Sequence, residues 1–362
     1  MEDNVDNILL TYLHKNTFSG CAAAFCSLGK NGFKRKNYFQ GRTDKSAHSM
    51  VVNEKTFFDL ASLTKPLVTV LSLLVLKKEE KIYFDEALST YLPLVLPEDK
   101  KEIKIIDLIR HTSGLPAHRP YYLKCSGDSD ELGIDDVIEM ILQEELVDKP
   151  GEKYIYSDLD YILLGHLIEQ ISGECLGKFW QRKITYPLGI SEEFYREGSE
   201  HKPDNTISFA VTGRCGWSGE QLCGKVHDDN CRAMGRICGH AGLFGTLYGV
   251  TALCEELVLT YFGKKENPAY ARDDLLYLLQ KRDTLHWAYG FDIPTGEKPS
   301  CGRFFSDKTI GHLGFTGTSF WIDLSEPRIA VFLTNRTLYG EDNTLIKEMR
   351  PVLHDALLRD GS

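Results

Sequence analysis

The segment SLTK, Ser62 to Lys65, places a hydroxyl and an amine three residues apart at the start of a long apolar run. If Ser62 opens a helix, this spacing puts both side chains on the same face, one turn apart. A serine hydroxyl is a weak nucleophile until a base takes its proton, and a partly desolvated lysine can act as that base. The alternative is an ordinary helix start, with a capping serine and an exposed lysine. The spacing alone is compatible with both interpretations.

A second candidate is Tyr156, in the segment YIYSDLDYILLGHLIEQISG. Apolar residues at helical spacing follow from 159 to 171, and Ser157 or Asp158 can cap the start of that helix. Tyr156 therefore lies just before a helix N-terminus. Its phenol can hydrogen-bond both SLTK side chains and pass a proton to a leaving group. The alternative is a packed tyrosine that donates to a backbone carbonyl.

A third candidate is His312, in the segment TIGHLGFTGTSFWIDL, which predicts a pair of strands interrupted by glycines. Glycine within a strand lets a ligand approach the backbone closely. A substrate laid along this edge would gain main-chain hydrogen bonds. His312 can then face the bound carbonyl or the leaving group. The alternative is a half-buried strand histidine with a local partner.

The three clusters together resemble, in order and separation, the motifs of the serine β-lactamase and penicillin-binding protein family. The relatives in question are class C β-lactamases, DD-peptidases and the related family VIII-type esterases. The three motifs are SLTK, the YSD of 156–158 and the HLG of 312–314. Further matching stretches are FDLASLTKP, HTSGLP at 111–116, VHDDNCRAMG at 226–235 and GHAGLFGT at 239–246. The resemblance covers the chain from about residue 20 to about residue 336.

This resemblance implies a set of roles around an acylated serine. Ser62 would be the nucleophile, and Lys65 and Tyr156 would share the base and acid roles. The main-chain N–H groups of Ser62 and Phe315 would form an oxyanion hole, in which each donor is typically worth roughly a hundred- to thousandfold in rate. Gly314, directly before Phe315, would lie against the substrate.

Two departures from the family pattern bear on substrate recognition. Asp158 stands where β-lactamases usually have asparagine; an ionised carboxylate accepts hydrogen bonds but cannot donate them. Its charge also favours the ammonium form of Lys65, so Tyr156 carries more of the base role. His312 stands where β-lactamases usually have lysine, and it is mostly neutral at pH 7. Arg336, just after the last predicted strand, can supply the charge for a carboxylate instead, or it is a surface arginine.

The polar stretch His227 to Asn230 and the cysteines raise the question of a metal. Four of the ten cysteines and two histidines fall close together in the sequence: Cys215, Cys223, Cys231, Cys238, His227 and His240. No cysteine pair shows the short spacing of structural zinc sites. We therefore expect buried free thiols, no metal and no cofactor, and we interpret 227–230 as a hydrogen-bonded loop at the cleft, although it could bind substrate or a cation.

Composition limits the partners. The net charge of -10 and the scattered basic residues disfavour nucleic acid and anionic membranes. The longest apolar run is about half of the roughly 20 residues that span a bilayer. The N-terminal segment MEDNVDNILLTYLHK lacks the basic start and apolar core of a secretion signal. The expected partner is a small-molecule substrate, and the expected location is the cytosol.

The order of predicted elements indicates an α/β protein of the α+β type. A hairpin turns at Gly29 to Gly32, a buried helix runs from SLTK to about Glu80, and strands near the C-terminus precede a helix at 345–358. We expect one catalytic domain in which 1–80 and 286–362 form an antiparallel sheet flanked by helices. The mostly helical region 81–285 is inserted between them, with the site in the cleft.

The leading hypothesis is a serine hydrolase that forms an acyl-enzyme with a carboxylic ester, a small amide or a D-peptide and transfers it to water. One alternative is β-lactamase or DD-carboxypeptidase activity proper. Another is a catalytically idle relative that binds or senses such ligands. A metal-dependent hydrolase ranks last, because the sequence contains no HExxH motif.

Overall fold

Helices and short strands alternate irregularly along the chain. The computed structural model describes residues 4–92, 96–124, 132–196, 207–279 and 287–360. The α-helices are α1 (Val5–His14), α2 (Leu71–Lys78), α3 (Ile105–Ile109), α4 (Ile134–Gln143), α5 (Asp158–Ser172), α6 (Leu176–Trp180), α7 (Tyr186–Leu188), α8 (Asp229–Ala233), α9 (Leu247–Tyr261), α10 (Arg272–Leu279) and α11 (Leu345–Asp360). The strands are β1 (Gly20–Gly29), β2 (Gly32–Gly41), β3 (Thr56–Asp59), β4 (Phe194–Arg196), β5 (Ser208–Phe209), β6 (Leu243–Gly245), β7 (Trp287–Ala288), β8 (Phe291–Asp292), β9 (Thr309–Leu313), β10 (Ser319–Asp323) and β11 (Arg328–Thr334).

Both ends of the chain build the main sheet. Its seven strands follow the order β2-β1-β11-β10-β9-β8-β7, and all neighbours are antiparallel. The N-terminal hairpin joins the C-terminal strands through β1 and β11, with Cys21 opposite Thr334 and Ser27 opposite Arg328. The predicted α+β fold, with an antiparallel sheet made by the two chain ends, is confirmed.

Both faces of this sheet are covered. Successive side chains of a strand point to opposite faces, and in β1 Ala23 and Phe25 pack with α1 and α11, whereas Ala24 and Cys26 belong to the larger core that contains α2 and α9. Apolar residues on both faces explain why β1 is a nearly continuous apolar run. The cleft described below opens between this sheet and the helices of the larger core.

The helix after SLTK is buried, as expected, but it is not a regular α-helix at its start. A 3-10 turn at Ala61–Leu63 and a π-helical segment at Lys65–Val70 precede α2. Wide turns of this kind occur frequently at functional sites. Pro66, within the π-helical segment, has no N–H to donate to the preceding turn. The whole stretch 67–76 is inaccessible to solvent.

A second, smaller sheet was not predicted from the sequence. It has the order β4-β6-β3-β5, and its strands are two to four residues long. Strands this short show too little alternation to be recognised. The region 81–285 is otherwise mostly helical where it is described; 93–95, 125–131, 197–206 and 280–286 lie outside the described residues. The division of the chain at residues 80 and 285 stays a prediction.

Three global properties follow from the described residues. Their cysteines are free thiols, and all except Cys175 and Cys223 are buried. No cluster of three or more histidine, cysteine or acidic side chains within the described ranges is arranged to hold a metal ion. No helix in those ranges has the length and apolar character needed to cross a membrane.

Candidate active site

The main chain before Ser62 makes a tight, strained turn at the end of β3. Ala61 has a φ of 46°, a left-handed conformation that is uncommon for residues other than glycine. Asp59, which is buried, holds this turn: one carboxylate oxygen accepts the N–H of Ala61 at 2.9 Å and the other accepts the N–H of His227 at 2.8 Å. Strain maintained by such contacts is typical of functional sites.

Lys65 lies directly beside Ser62. Its Nζ donates to Ser62 Oγ at 3.1 Å, to Asp158 Oδ1 at 2.7 Å and to the His240 carbonyl at 3.3 Å. An ammonium group donates hydrogen bonds and accepts none, so these contacts suit the charged form of the lysine. The lysine is 0% exposed, so the alternative of a solvent-exposed lysine at a helix start is wrong.

The charges of this pair are fixed by opposing effects. Burial lowers the pKa of Lys65, but the neighbouring Asp158 carboxylate and Tyr156 raise it by more, so the net pKa lies above the ordinary value. Burial raises the pKa of Asp158, but the Lys65 cation and a hydrogen bond from His118 contribute to lowering it, so the carboxyl pKa is well below its usual range. The resting site therefore contains an ammonium and a carboxylate in contact.

Tyr156, the first residue of the second motif, completes the cluster around Ser62 and Lys65. Its hydroxyl hydrogen-bonds both Lys65 and Ser62, and its ring centroid is 4.8 Å from Lys65 Nζ. Burial raises the pKa of Tyr156, and the Lys65 cation only partly offsets that effect. The phenol is therefore protonated at neutral pH. Ser157 caps α5 by accepting the Asp160 N–H, which confirms the predicted helix start.

The third motif lies opposite Tyr156. His312, on β9, is 1% exposed, and its ring centroid is 6.1 Å from that of Tyr156. Its Nδ1–H donates to the Leu313 carbonyl at 2.9 Å. Burial, together with the Lys65 cation, lowers the pKa of His312 to about 3. The imidazole is thus neutral, and it provides no positive charge for a substrate carboxylate.

The loop after β9 is tied to the Ser62 turn. Thr316 Oγ1 donates to the Asp59 carbonyl at 2.7 Å, and Thr318 Oγ1 donates to the Leu60 carbonyl at 3.2 Å. A Cβ on Gly314 would lie 2.0 Å from Thr318 Oγ1 and 2.9 Å from the Leu60 oxygen, so only glycine fits there. Phe315 follows at the cleft mouth, 49% exposed. These bonds fix Phe315 relative to the segment that carries the serine.

Arg336 is buried, so the alternative of a surface arginine is wrong. It is 8% exposed, and its guanidinium donates to three main-chain carbonyls, those of Phe315 at 2.7 Å, Glu341 at 2.9 Å and Asn343 at 3.0 Å. The arginine lines the cleft while it holds the loop of Phe315. Two further cations of this cleft, Lys347 and Arg350 on α11, were not recognised in the sequence, because nothing in a helical pattern indicates which face meets a distant strand.

The His227 to Asn230 stretch lies at the cleft and is hydrogen-bonded, as interpreted from the sequence. Asp228 caps α8 by accepting the Cys231 N–H at 2.7 Å, and it accepts from His240 Nε2 at 3.0 Å. The Asn230 amide donates to a carbonyl at 2.7 Å and accepts an N–H at 3.0 Å, both from the segment 119–122. The stretch forms one wall of the site.

Two cavities meet at the serine. One, of about 480 Å³, extends from Ser62 past His312 to Arg336, Lys347 and Arg350. The other, of about 460 Å³, extends from Ser62 to an acidic wall that includes Asp158, Asp228 and Asp229. Ser62, Tyr156 and Phe315 line both cavities. The serine hydroxyl is therefore accessible at the junction of a basic and an acidic arm.

Neutral buried histidines predict acid sensitivity. A histidine in the unfolded chain binds a proton near pH 6.5, whereas burial lowers the pKa of His312 to about 3 and that of His354 to about 4. Their contribution to stability is complete above pH 6.5 and is lost as the pH falls toward 4. We expect the free energy of unfolding in urea to fall by about 1.4 kcal/mol per pH unit for each such histidine between pH 6 and pH 4.

The control for this expectation removes one titrating group at a time. His354 does not line either cavity at the serine. His354→Asn should flatten the pH dependence of the unfolding free energy by about 1.4 kcal/mol per pH unit over that range. His312→Asn should flatten it to a similar degree. An unchanged slope in both variants would show that these imidazoles are protonated in the folded protein.

Known proteins resemble this chain over most of its length. The β-lactamase family model matches residues 15–351. A provisionally named D-alanyl-D-alanine carboxypeptidase of Escherichia coli strain K12 is 29% identical over 301 residues, which cover 78% of this chain and 69% of that protein.

Two solved structures share the fold at low sequence identity. The octameric penicillin-binding protein homologue from Pyrococcus abyssi has a TM-score of 0.75 and 17% identity, over 99% of this chain and 77% of that one. EstCE1, described as a hydrolase with promiscuous acyltransferase activity, has a TM-score of 0.73 and 19% identity, over 98% and 97% of the two chains. With its three motifs assembled in one cleft and the family model matching most of its length, this chain belongs to the β-lactamase family of hydrolases.

Proposed function

We propose that the protein is a serine hydrolase that forms an acyl-enzyme at Ser62 and acts on a carboxylic ester or a small amide, including D-peptides. The observation that carries this proposal is the contact of Lys65 Nζ with both Ser62 Oγ, at 3.1 Å, and Asp158. Tyr156 bonds the same serine and lysine. Ser62 is thus in contact with the Lys65–Tyr156 pair, which takes the serine proton once the pair has itself lost one. Asp158 orients that pair, which is the arrangement that activates a serine.

The proposed reaction begins with attack of Ser62 Oγ on the substrate carbonyl carbon. The reactive form is the one in which the Lys65–Tyr156 pair has lost one proton. The serine proton passes to this pair, and the carbonyl electrons move onto oxygen. The N–H groups of Ser62 and Phe315 would stabilise that oxyanion; the Phe315 N–H makes no hydrogen bond to any part of the chain that the structure describes. Collapse expels the leaving group, which takes a proton from the Tyr156 hydroxyl. Water then attacks the acyl-enzyme by the same route.

Substrate preference follows from the charges around the serine. Asp158, paired with Lys65, accepts but cannot donate to a substrate amide. His312 is neutral, and Arg336 is engaged by main-chain carbonyls. These features favour an ester over a β-lactam, whose carboxylate requires a cation near the third motif. Arg350 is likewise engaged by main-chain carbonyls, those of Gly314 and Thr318. Lys347 extends the basic arm and leaves a D-peptide as the second candidate substrate.

A substrate panel tests this proposal. We expect short-chain p-nitrophenyl esters to be hydrolysed faster than D-alanyl-D-alanine peptides, and both faster than nitrocefin, when kcat/KM is measured for each. Fastest turnover of nitrocefin would favour β-lactamase activity proper. No turnover of any of the three would favour the idle binding relative, although Ser62, Lys65 and Tyr156 are all present and in contact.

Tyr156→Phe is expected to reduce kcat/KM for the best ester by roughly 10²- to 10³-fold, because it removes the proton carrier and keeps the ring. The pKa values of Lys65 and Tyr156 are both raised, so the form that has lost one proton becomes more populated with rising pH. In the wild type, log kcat/KM should therefore increase with a slope of about 1 from pH 6 to pH 9. A rate independent of pH over that range, or a phenylalanine variant with wild-type activity, would contradict the role of this pair.

A further inference from the structure

The segment HTSGLP, 111–116, was singled out in the sequence for its resemblance alone, and the structure shows it against the second motif. Residues 155–158 are hydrogen-bonded at several points to this segment and to the residue that follows it. Ser157 Oγ donates to the Pro116 carbonyl at 2.7 Å, and the Asp158 N–H donates to the Ala117 carbonyl at 2.9 Å. His111, the first residue of the segment, makes the contacts closest to Tyr156.

His111 contacts the chain on both sides of Tyr156. Its carbonyl accepts the Ile155 N–H at 2.8 Å, and its side-chain Nδ1 accepts the Ser157 N–H at 3.1 Å. Its ring packs against the Tyr156 ring, with centroids 4.6 Å apart and planes inclined by 43°. One residue therefore fixes the main chain before Tyr156, the main chain after it and the phenol ring itself.

The protonation state of the His111 imidazole suits the role of fixing Tyr156. Because Nδ1 accepts a main-chain N–H, a neutral ring carries its proton on Nε2. Burial, with a further contribution from the Lys65 cation, lowers the pKa of His111 well below its ordinary value. The ring is 1% exposed and also packs on Tyr161, with centroids 4.9 Å apart. The ring is therefore neutral and is enclosed by its neighbours.

The backbone of His111 is strained, as is common where a functional side chain must be held in one position. Its φ is 59°, in the left-handed region that side chains rarely adopt. A conformation of this kind persists only where surrounding contacts enforce it, and such positions cluster at functional sites. A residue without function could be replaced by glycine, which adopts this φ without cost.

We propose that His111 is the positioning residue for Tyr156, holding the phenol in contact with Ser62 and Lys65 without itself touching substrate. The inference rests on the serine hydrolase function proposed above. Misplacing a reacting group by about 1 Å can cost roughly a hundredfold in rate. The consequence is that the HTSGLP segment acts on turnover through Tyr156 and leaves substrate affinity nearly unchanged.

Two variants separate positioning from general stability. His111→Gly removes the imidazole and relieves the backbone strain, whereas asparagine tolerates the left-handed conformation and keeps an acceptor for the Ser157 N–H. Folded sites are counted by complete labelling of Ser62 with a fluorophosphonate and mass spectrometry, and kcat and KM for a p-nitrophenyl ester are expressed per labelled site. His166→Gly, at another buried histidine, is the matched control.

We expect His111→Gly to lower kcat per site by roughly 10- to 100-fold with little change in KM, and His111→Asn to recover most of the loss. His166→Gly should reduce the number of folded sites and leave kcat per site unchanged. Wild-type kcat per site in His111→Gly, or an equal loss in His166→Gly, would overturn the positioning role. Absence of label on Ser62 in the wild type would instead overturn the proposed function, so the two failures are distinguishable.

Discussion

Ser62→Ala is expected to reduce kcat/KM for p-nitrophenyl esters by roughly 10⁴- to 10⁶-fold, since removal of the nucleophile of a serine protease costs on the order of 10⁶ in rate. The reason is that the proposed reaction passes through a covalent bond to Ser62 Oγ, which no neighbouring side chain can replace. Lys65 and Tyr156 would remain in place but would have no hydroxyl to deprotonate. Residual rates would come only from binding and the oxyanion hole.

The matched control is Ser72→Ala, in the same apolar stretch. Ser72 is 0% exposed on α2, and its hydroxyl has no hydrogen-bond partner among the described residues. Removing that unpaired hydroxyl should leave the rate unchanged. Both variants should retain the circular dichroism spectrum of the wild type. If Ser62→Ala kept more than a few per cent of the activity, the nucleophile would be a different residue.

Lys65→Met is expected to have the second largest effect, on rate and on stability together. The rate should fall by roughly 10³- to 10⁴-fold, because the serine loses the partner that takes part in its deprotonation. The unfolding free energy should fall by about 3–5 kcal/mol, since Asp158 is left in the cleft without its cation. Urea unfolding and ester hydrolysis measure the two effects on the same sample.

A double variant separates these two effects. In Lys65→Met combined with Asp158→Asn, the unpaired carboxylate is gone, so most of the stability should return while the activity stays low. Lys100→Met is the control for removal of a buried lysine elsewhere: Lys100 is 3% exposed and pairs with Asp99 at 2.9 Å. Its activity should match the wild type. Recovery of activity in the double variant would show that Lys65 serves only to neutralise Asp158.

Long periodic elements of this fold were predictable. The apolar helical spacing at 159–171 lies within α5, and the predicted closing helix at 345–358 differs from α11 only at its C-terminal end. The β1–β2 hairpin turns at the predicted glycines. These elements carry their own signal, because periodicity, caps and turn residues are local properties of the sequence.

The missed features depend on contacts between distant segments. The short strands β3 to β6 exist because they pair with one another, and the left-handed turn at Ala61 is held by Asp59. Helix α1 was also missed; it packs on α11, from the opposite chain end. The secondary-structure propensity of a short segment does not indicate which distant segment it will contact.

The candidate site was predicted in part for the same reason. The contact of Ser62 with Lys65 is one of the two arrangements that their spacing allows, whereas the approach of Tyr156 and His312 requires the complete fold and was inferred from resemblance. The sequence indicated that Asp158 would hold Lys65 as an ammonium, and the 2.7 Å contact agrees with that expectation. The role of His111 depends on a main-chain N–H that no motif identifies.

The central claim is that Ser62 is acylated, and locating a covalent adduct tests it most directly. The protein is incubated with a fluorophosphonate or a labelled penicillin, digested, and analysed by tandem mass spectrometry. We predict one adduct per chain, on the peptide that contains Ser62, which is absent in Ser62→Ala and retained in Ser72→Ala. An adduct on any other residue, or none with either probe, would contradict the assignment of Ser62 as the nucleophile.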